Sequence, residues 1–262
     1  MRNLIRKIQV NIPFTMLYES YIDIFISNKI NPEIGFDAHS LDAYTFDDFK
    51  GIAQRVDSAG LRVTLHAPFM DLSAGSSDPE IREITRYRFN QLLSLIPVFR
   101  PHSVVFHTGY DQRRYWPIWD TWVENSIETW TMIGETLRQS DTRLMLENVY
   151  ENAPEEILVF FKKLMPLGVG FCLDTGHHCV FSEYSLATWL NVLGPFIGQL
   201  HLHDNSGNND DHLALGEGKV DFKFLFEFMA KCGITPSVIT LEPHREEDLW
   251  PSLEYLKRVW PW

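Results

Sequence analysis

A chain of 262 residues with 45% apolar content can bury one large core, and we expect a single domain over residues 1–262. The formal charge of −12 at pH 7 opposes contact with a phosphate backbone, so we do not expect nucleic acid as a partner unless bound cations reverse the sign inside a cleft. The 3 cysteines lack CxxC spacing, which argues against a disulfide framework and against a thiolate zinc site.

The sequence contains no stretch of about eighteen consecutive apolar residues, the length that a membrane-spanning helix requires. Residues 1–10 also lack the long apolar region of a signal peptide. We therefore expect a cytoplasmic protein without a membrane partner. Nothing in the sequence indicates its oligomeric state.

Short β-branched or leucine-rich runs alternate with helical patterns eight times along the chain. The predicted strands are residues 8–14, 33–37, 62–66, 103–107, 143–147, 169–174, 197–203 and 238–242. The clearest helical patterns are residues 79–99, 119–139, 155–165, 222–231 and 249–259. The second unit is less regular because residues 44–58 are polar, and the sixth helix, residues 185–193, is short. Eight β-then-α units predict an α/β fold that closes into a single (β/α)8 TIM barrel.

Side chains able to bind a divalent metal lie at, or one loop beyond, the ends of these predicted strands. The carboxyl ends of parallel strands meet at one end of a barrel, so these groups should converge there. Mixed carboxylate and imidazole ligands suit zinc, manganese, iron or cobalt. The candidate metal ligands are His66, His107, Glu147, Asp174, His177, His201, Asp210, His212 and Glu242.

Strand alternation supports this interpretation. In residues 197–204, Leu200 and Leu202 share one face, and Gln199, His201 and His203 share the other. The leucine face can pack beneath helices while the polar face points to the barrel axis. One buried histidine is more often a hydrogen-bonded core residue than a ligand, but nine ionisable groups at one mouth would be badly desolvated without cations. We therefore predict a metal enzyme.

An ordered set of short motifs resembles the xylose-isomerase-like TIM-barrel superfamily, which includes sugar phosphate isomerases and epimerases and endonuclease IV of AP endonuclease family 2. Each motif alone is common, whereas their order from the third to the eighth strand is specific. They are HAPFMDL at 66–72, VVFHTG at 104–109, LEN at 146–148, LDTGH at 173–177, HLHDN at 201–205, LGEG at 215–218 and LE at 241–242.

The resemblance to the epimerase branch implies one metal ion held by four residues of the candidate set. In that branch the residues matching Glu147 and Glu242 also exchange a substrate proton through a metal-stabilised enediolate, and the residue matching His177 orients substrate hydroxyls. The implied metal ligands are Glu147, Asp174, His201 and Glu242. The substrate contacts that we expect beside them are Phe69, Asn148, His203 and Glu217.

The resemblance to the endonuclease branch implies three metal ions and uses all nine positions. One ion would be held by His66, His107 and a bridging Glu147. A second would lie between that glutamate, Asp174, His201 and Glu242. The third would be held by His177, Asp210 and His212.

Our leading hypothesis from the sequence is a metal-dependent isomerase or epimerase that acts on a small sugar or sugar phosphate. The alternative is a phosphoesterase with a multinuclear metal centre, which acts on abasic DNA or on a small phosphoester. A third hypothesis is a barrel that binds a sugar without catalysis, since a fold does not determine function. The expected cofactor is a divalent cation, Zn²⁺ or Mn²⁺, with one to three ions per chain.

Overall fold

The computed structural model describes residues 4–262, whose eight strands are all parallel and close into a barrel in chain order. The predicted TIM-barrel fold is confirmed, and the predicted strand bounds agree with the structure to within two residues at each end. The strands are β1 (Gln9–Pro13), β2 (Asn31–Gly35), β3 (Thr64–His66), β4 (Ser103–His107), β5 (Arg143–Glu147), β6 (Gly170–Asp174), β7 (Ile197–Leu202) and β8 (Val238–Leu241).

Helices surround the barrel and connect successive strands. They are α1 (Phe14–Met16), α2 (Ile22–Asn28), α3 (Ala38–Ala43), α4 (Phe46–Ser58), α5 (Pro79–Leu93), α6 (Ile96–Phe99), α7 (Gln112–Tyr115), α8 (Trp119–Arg138), α9 (Glu155–Lys163), α10 (Thr175–Phe181), α11 (Leu186–Leu193), α12 (Phe222–Cys232) and α13 (Leu249–Val259). A π-helical turn, Leu17–Tyr21, joins α1 to α2. Within residues 4–262, no helix combines the length and the apolar character needed to cross a bilayer.

The helix predicted over residues 79–99 is interrupted, and that prediction was wrong. α5 ends at Leu93, and α6 begins again at Ile96. Pro97 explains the break, because proline has no N–H to donate and its ring would clash with the carbonyl group of Leu93 in a continuous helix.

The polar second unit does form a helix, α4, because its few apolar residues lie on one face. Phe49, Ile52, Ala53 and Val56 are buried at helical spacing. Thr45 caps the first turn, with its hydroxyl accepting from the Asp48 N–H while the Asp48 carboxylate accepts from the Thr45 N–H.

The two faces of each strand have different partners, as the alternation predicted. Leu144, Leu200 and Leu202 point outward into the main core beneath the helices. Inside the barrel, Met145 packs with Val105 and Cys172 as a separate apolar cluster. The strand ends that carry polar side chains are therefore held by apolar packing on the outer face.

Shortening a leucine on an outward face should destabilise the barrel. Leu144→Ala leaves a cavity between β5 and the surrounding helices, and we expect it to lower the free energy of unfolding by about 2–5 kcal/mol. Urea denaturation measures the change. Ile84→Ala is the control, because Ile84 is 59% exposed on α5 and surface substitutions cost about 0.5 kcal/mol or less. Equal midpoints for the two variants would contradict this assignment of the core.

Candidate metal centre

The structure brings all nine predicted ligands to the carboxyl-terminal end of the barrel. β3, β4, β5 and β6 each end on one of them, at His66, His107, Glu147 and Asp174. Strand pairing then places these ends side by side, with His107 next to Glu147 and Asp174 next to His201. Glu242 directly follows β8, while His177 lies on α10 and the loop after β7 carries Asp210 and His212.

The Glu147 carboxylate lies at the centre of the group and is almost fully buried. Its Oε2 lies 3.1 Å from His66 Nε2 and 3.5 Å from His107 Nε2. Its Oε1 lies 3.3 Å from His177 Nδ1 and 3.3 Å from His201 Nδ1. Burial acts to raise the pKa of Glu147, but the imidazoles of His201 and His107 outweigh it and hold the pKa well below its ordinary value. The carboxylate therefore stays ionised between two pairs of imidazoles.

Asp210 is the centre of a second group nearer the solvent. Its Oδ2 lies 3.4 Å from His177 Nε2 and 3.3 Å from His212 Nε2, and its Oδ1 lies 3.7 Å from His203 Nδ1. Burial acts to raise the pKa of Asp210, but hydrogen bonds from His177 and His212 lower it further than burial raises it. His177 therefore lies between the two groups, with one ring nitrogen facing each.

His203, which is almost fully buried, packs against this second group. Its Nε2 lies 3.0 Å from Asp174 Oδ1, and its ring stacks on that of His212 with centroids 3.7 Å apart. The ring is so close to α10 that a Cβ on Gly176 would lie 2.0 Å from His203 Cε1. The glycine of the motif DTGH is thus required by the neighbouring imidazole.

The donor set fits divalent cations. Several groups of side chains each bring one ligand atom per residue to within 4.8 Å of one another. They include His66 with His107 and Glu147, Glu147 with Asp174 and His177, Glu33 with His201 and Glu242, and His177 with His203, Asp210 and His212. Among the described residues, His201 Nδ1 is buried without a hydrogen-bond partner, although it lies 3.0 Å from Glu242 Oε1. Such an orphaned nitrogen beside two carboxylates fits the position of a metal ligand.

Neutral imidazoles are needed for coordination, and burial favours the neutral form of His107. Burial lowers the pKa of His107 to about 3, so that its ring is uncharged at neutral pH. Its Nε2 can then present a lone pair toward the space beside Glu147.

The three other predicted substrate contacts lie in different surroundings. Phe69 is 46% exposed at the cavity and stacks on His107 with centroids 4.3 Å apart. The side-chain amide of Asn148 is engaged with the main chain of Asp174, where it accepts from the N–H at 2.9 Å and donates to the carbonyl at 3.1 Å. Glu217 is exposed on a turn outside the cavity. A substrate contact therefore stays a prediction for each, with the accessible side chain of Phe69 best placed for it.

A cavity of about 830 Å³ opens above the candidate metal ligands. His66, His107, His177, His212 and the nearby carboxylates form its floor. The rest of the lining contains apolar and aromatic side chains, which include Phe69, Met70, Ile81, Tyr115, Tyr150 and Phe181, together with the charged side chains of Asp71, Asp111, Arg113 and Arg114. Asp174 and His201 lie below this floor and are fully buried.

Two buried carboxylates near the site were missed in the sequence. Glu33 lies in the middle of β2, whereas the pattern began the predicted strand at this residue. Glu151 lies in the loop after β5, where its carboxylate accepts from the hydroxyl of Thr108 and, at 2.6 Å, from the N–H of Val149. An acidic residue within an otherwise apolar strand was the only available signal for Glu33, and Glu151 had none.

The family model described as xylose isomerase-like TIM barrel matches residues 31–259 of this chain. The chain belongs to this family. Probable endonuclease 4 of Mycobacterium leprae is 23% identical over 209 residues, which cover 75% of this chain and 80% of that protein. The fold is also close to that of two solved structures, the TTHB071 protein of Thermus thermophilus and a D-tagatose 3-epimerase-like protein.

The TTHB071 structure, from a crystal soaked with ZnCl2, has a TM-score of 0.81 at 24% identity and covers 97% of this chain and 98% of its own. The D-tagatose 3-epimerase-like protein has a TM-score of 0.80 at 23% identity, with coverage of 96% and 97%. At these identities the structural matches show that the barrel is shared, and the chemistry has to be argued from the side chains.

Glu151 should make the stability of this barrel depend on pH. Burial raises its pKa to about 7 from an ordinary value of 4.5, so the folded state binds the proton more tightly than the unfolded state. The resulting stabilisation is complete below about pH 4.5 and is lost as the pH rises through 7. Glu151→Gln keeps a neutral side chain at every pH, so its stability should fall less between pH 5 and pH 8 than that of the wild type.

Urea denaturation at the two pH values measures this difference. The control is Glu155→Gln, because Glu155 is exposed at the start of α9. We expect the control to follow the wild-type pH dependence. The same pH dependence in wild type and Glu151→Gln would show that the buried carboxyl group is not responsible.

Proposed function

We propose that this protein is a metal-dependent phosphoester hydrolase with a multinuclear divalent-metal centre. The observation that carries the proposal is the position of Glu147. Each of its carboxylate oxygens faces a different pair of imidazoles, as a carboxylate that bridges two cations would. Around it lie the side chains that a multinuclear centre would need as ligands.

Different side chains would hold each cation of such a site. His66 and His107 would hold a cation on one side of Glu147, and His201, Asp174 and Glu242 would hold one on the other. His177, Asp210 and His212 would hold a third near the cavity. Bound divalent cations supply water activation and charge neutralisation on both the attacking and the leaving oxygen in phosphoester hydrolysis.

The side chains of the protein would have to position the phosphate group, and the net charge of the chain limits which phosphoesters can bind. The cavity lies directly over the cation ligands, so a phosphate group there would meet a strongly positive region in a chain of net charge −12. The acidic balance of the chain as a whole repels a long polyanion. This balance favours a small phosphoester over duplex DNA, although the relation to probable endonuclease 4 makes abasic DNA a necessary test substrate.

A second candidate function is sugar isomerisation or epimerisation. The observation in its favour is that Glu147 and Glu242 lie on either side of His201 Nδ1, at 3.3 Å and 3.0 Å, as a pair of acid–base groups around one cation would. The likeness to the D-tagatose 3-epimerase-like protein agrees with it. It ranks second because a general base needs an oxygen free to face the substrate carbon, and both oxygens of Glu147 face imidazoles.

Metal stoichiometry separates these two functions. Protein that has been stripped and then reloaded with ZnCl2 or MnCl2 should hold two or three ions per chain by elemental analysis, because the nine candidate ligands divide into three sets around Glu147 and Asp210. His212→Ala should lower the count by one. His102→Ala is the matched control, because His102 is exposed at the opposite end of the barrel, directly before β4, and its count should equal that of the wild type. One ion per chain in the wild type would reverse the ranking.

Enzyme assays also distinguish the hydrolase from the isomerase. The reloaded protein should hydrolyse bis(4-nitrophenyl) phosphate, and His212→Ala should reduce the rate by about 100-fold or more, the scale of losing one electrostatic stabiliser of the transition state. The same preparations are assayed on an abasic-site duplex and on D-tagatose in heavy water. Deuterium incorporation into the sugar that survives His212→Ala but is lost in Glu242→Gln would establish the isomerase instead.

A further inference from the structure

A polar layer lies inside the barrel directly below the metal ligands. It is built around Glu33 of β2, a fully buried carboxylate that no part of the proposed hydrolysis uses. A carboxylate in the interior of a barrel is costly unless its oxygens have partners. The layer consists of Glu33, Thr64, Ser103, Gln199 and Thr240, all of which are fully buried.

Three neutral donors satisfy one oxygen of Glu33. Oε2 accepts from Gln199 Nε2 at 2.6 Å, from Thr64 Oγ1 at 2.8 Å and from Thr240 Oγ1 at 3.1 Å. The orientation of the Gln199 amide is set from the other side, because its Oε1 accepts from Ser103 Oγ at 2.7 Å. Donors from β3, β7 and β8 therefore hold the carboxylate in one position.

The other oxygen of Glu33 is directed at the metal ligand His201. Oε1 lies 2.9 Å from His201 Nε2 in an ion-pair contact, and among the described residues it has no hydrogen-bond partner. Gln199 Nε2 lies farther from the same nitrogen, at 3.2 Å, and its hydrogens also have Glu33 Oε2 and Thr240 Oγ1 as acceptors. The nearest neighbour of His201 Nε2 is thus an oxygen that can only accept a hydrogen bond.

This arrangement determines which nitrogen of His201 a cation could take. The carboxylate oxygen of Glu33, which can only accept, lies 2.9 Å from Nε2 and favours a proton there, so that Nδ1 is the nitrogen at which a cation would replace a proton. Nδ1 is the buried nitrogen that faces Glu242 Oε1 at 3.0 Å and Glu147 Oε1 at 3.3 Å. A cation between the two glutamates would therefore take the place of a proton on Nδ1 and leave the ring protonated on Nε2.

We propose that Glu33 is a positioning residue that fixes His201 as its Nε2-protonated tautomer and thereby prepares Nδ1 as a metal ligand. The inference rests on the metal centre of the proposed function but not on the reaction that this centre performs. A carboxylate behind a ligating histidine raises the basicity of the ring and restrains its rotation. Glu33 would therefore increase metal affinity without touching metal or substrate.

The test is zinc binding to stripped protein, followed by calorimetry with a competing chelator. Glu33→Gln preserves the size of the side chain and removes its charge, and it should weaken one zinc ion by about 10–100-fold, the usual effect of losing such a partner. Thr64→Val is the matched control, because it removes one neutral donor to Oε2 and leaves the contact between Oε1 and His201 in place. The control should bind zinc as the wild type does.

The tautomer can be observed directly, even if Glu33→Gln does not fold. In the zinc-loaded wild type, ¹⁵N-labelled histidine spectra should show His201 with a proton on Nε2 and zinc on Nδ1. A proton on Nδ1, zinc on Nε2, or equal zinc affinity in folded Glu33→Gln and wild type would each overturn the role of Glu33. An equal loss of affinity in Thr64→Val would do so as well, since it would indicate a general structural role for the layer.

Failure of the proposed function would look different. A chain that binds one zinc ion and hydrolyses no phosphoester, but loses zinc affinity in Glu33→Gln, would contradict the hydrolase and retain Glu33 as a positioning residue. A wild type that hydrolyses phosphoesters with two or three ions, and whose zinc affinity is unchanged in Glu33→Gln, would retain the hydrolase and remove the role of Glu33.

Discussion

The burial of the Glu147 carboxylate among four imidazoles is the interaction on which the site depends. An ionised group with almost no access to water has to be compensated by nearby positive charge, or its burial costs several kcal/mol. His66 provides this compensation on one oxygen, and His177 and His201 provide it on the other, since the pKa of each of these three histidines is raised. These histidines come from β3, β7 and α10, so closure of the barrel and ionisation of the carboxylate depend on each other.

The two faces of the strands allow this concentration of polar groups in one stable fold. Leucines such as Leu146 and Leu200 point outward into the apolar core, and their packing holds the strands against the electrostatic cost inside. Inside, an apolar cluster around Met145 and a hydrogen-bonded layer around Glu33 lie below the candidate metal ligands. The ligands are consequently supported by ordered side chains, which restricts their rotamers before any cation binds.

The xylose isomerase-like barrel is compatible with more than one reaction, and the side chains at its mouth distinguish between them. Four of the residues in this chain could hold a single cation for proton transfer. The further imidazoles of His66, His107 and His212, together with Asp210, extend the site toward the cavity and favour several cations. Hydrolysis is proposed for the larger ligand set because clustered cations can neutralise charge on both the attacking and the leaving oxygen of a phosphoester.

Most of the fold and the nine candidate ligands could be predicted from the sequence, because strand alternation and strand ends are local patterns. Only the tertiary structure decided what those residues contact. The amide of Asn148 pairs with the main chain of Asp174, and Glu33 lies against His201, 168 positions away in the sequence. The break before Pro97 was visible locally but was outweighed by the apolar periodicity around it. Contacts across a closed barrel depend on which strands become neighbours and in which register, and no local pattern of residues contains that information.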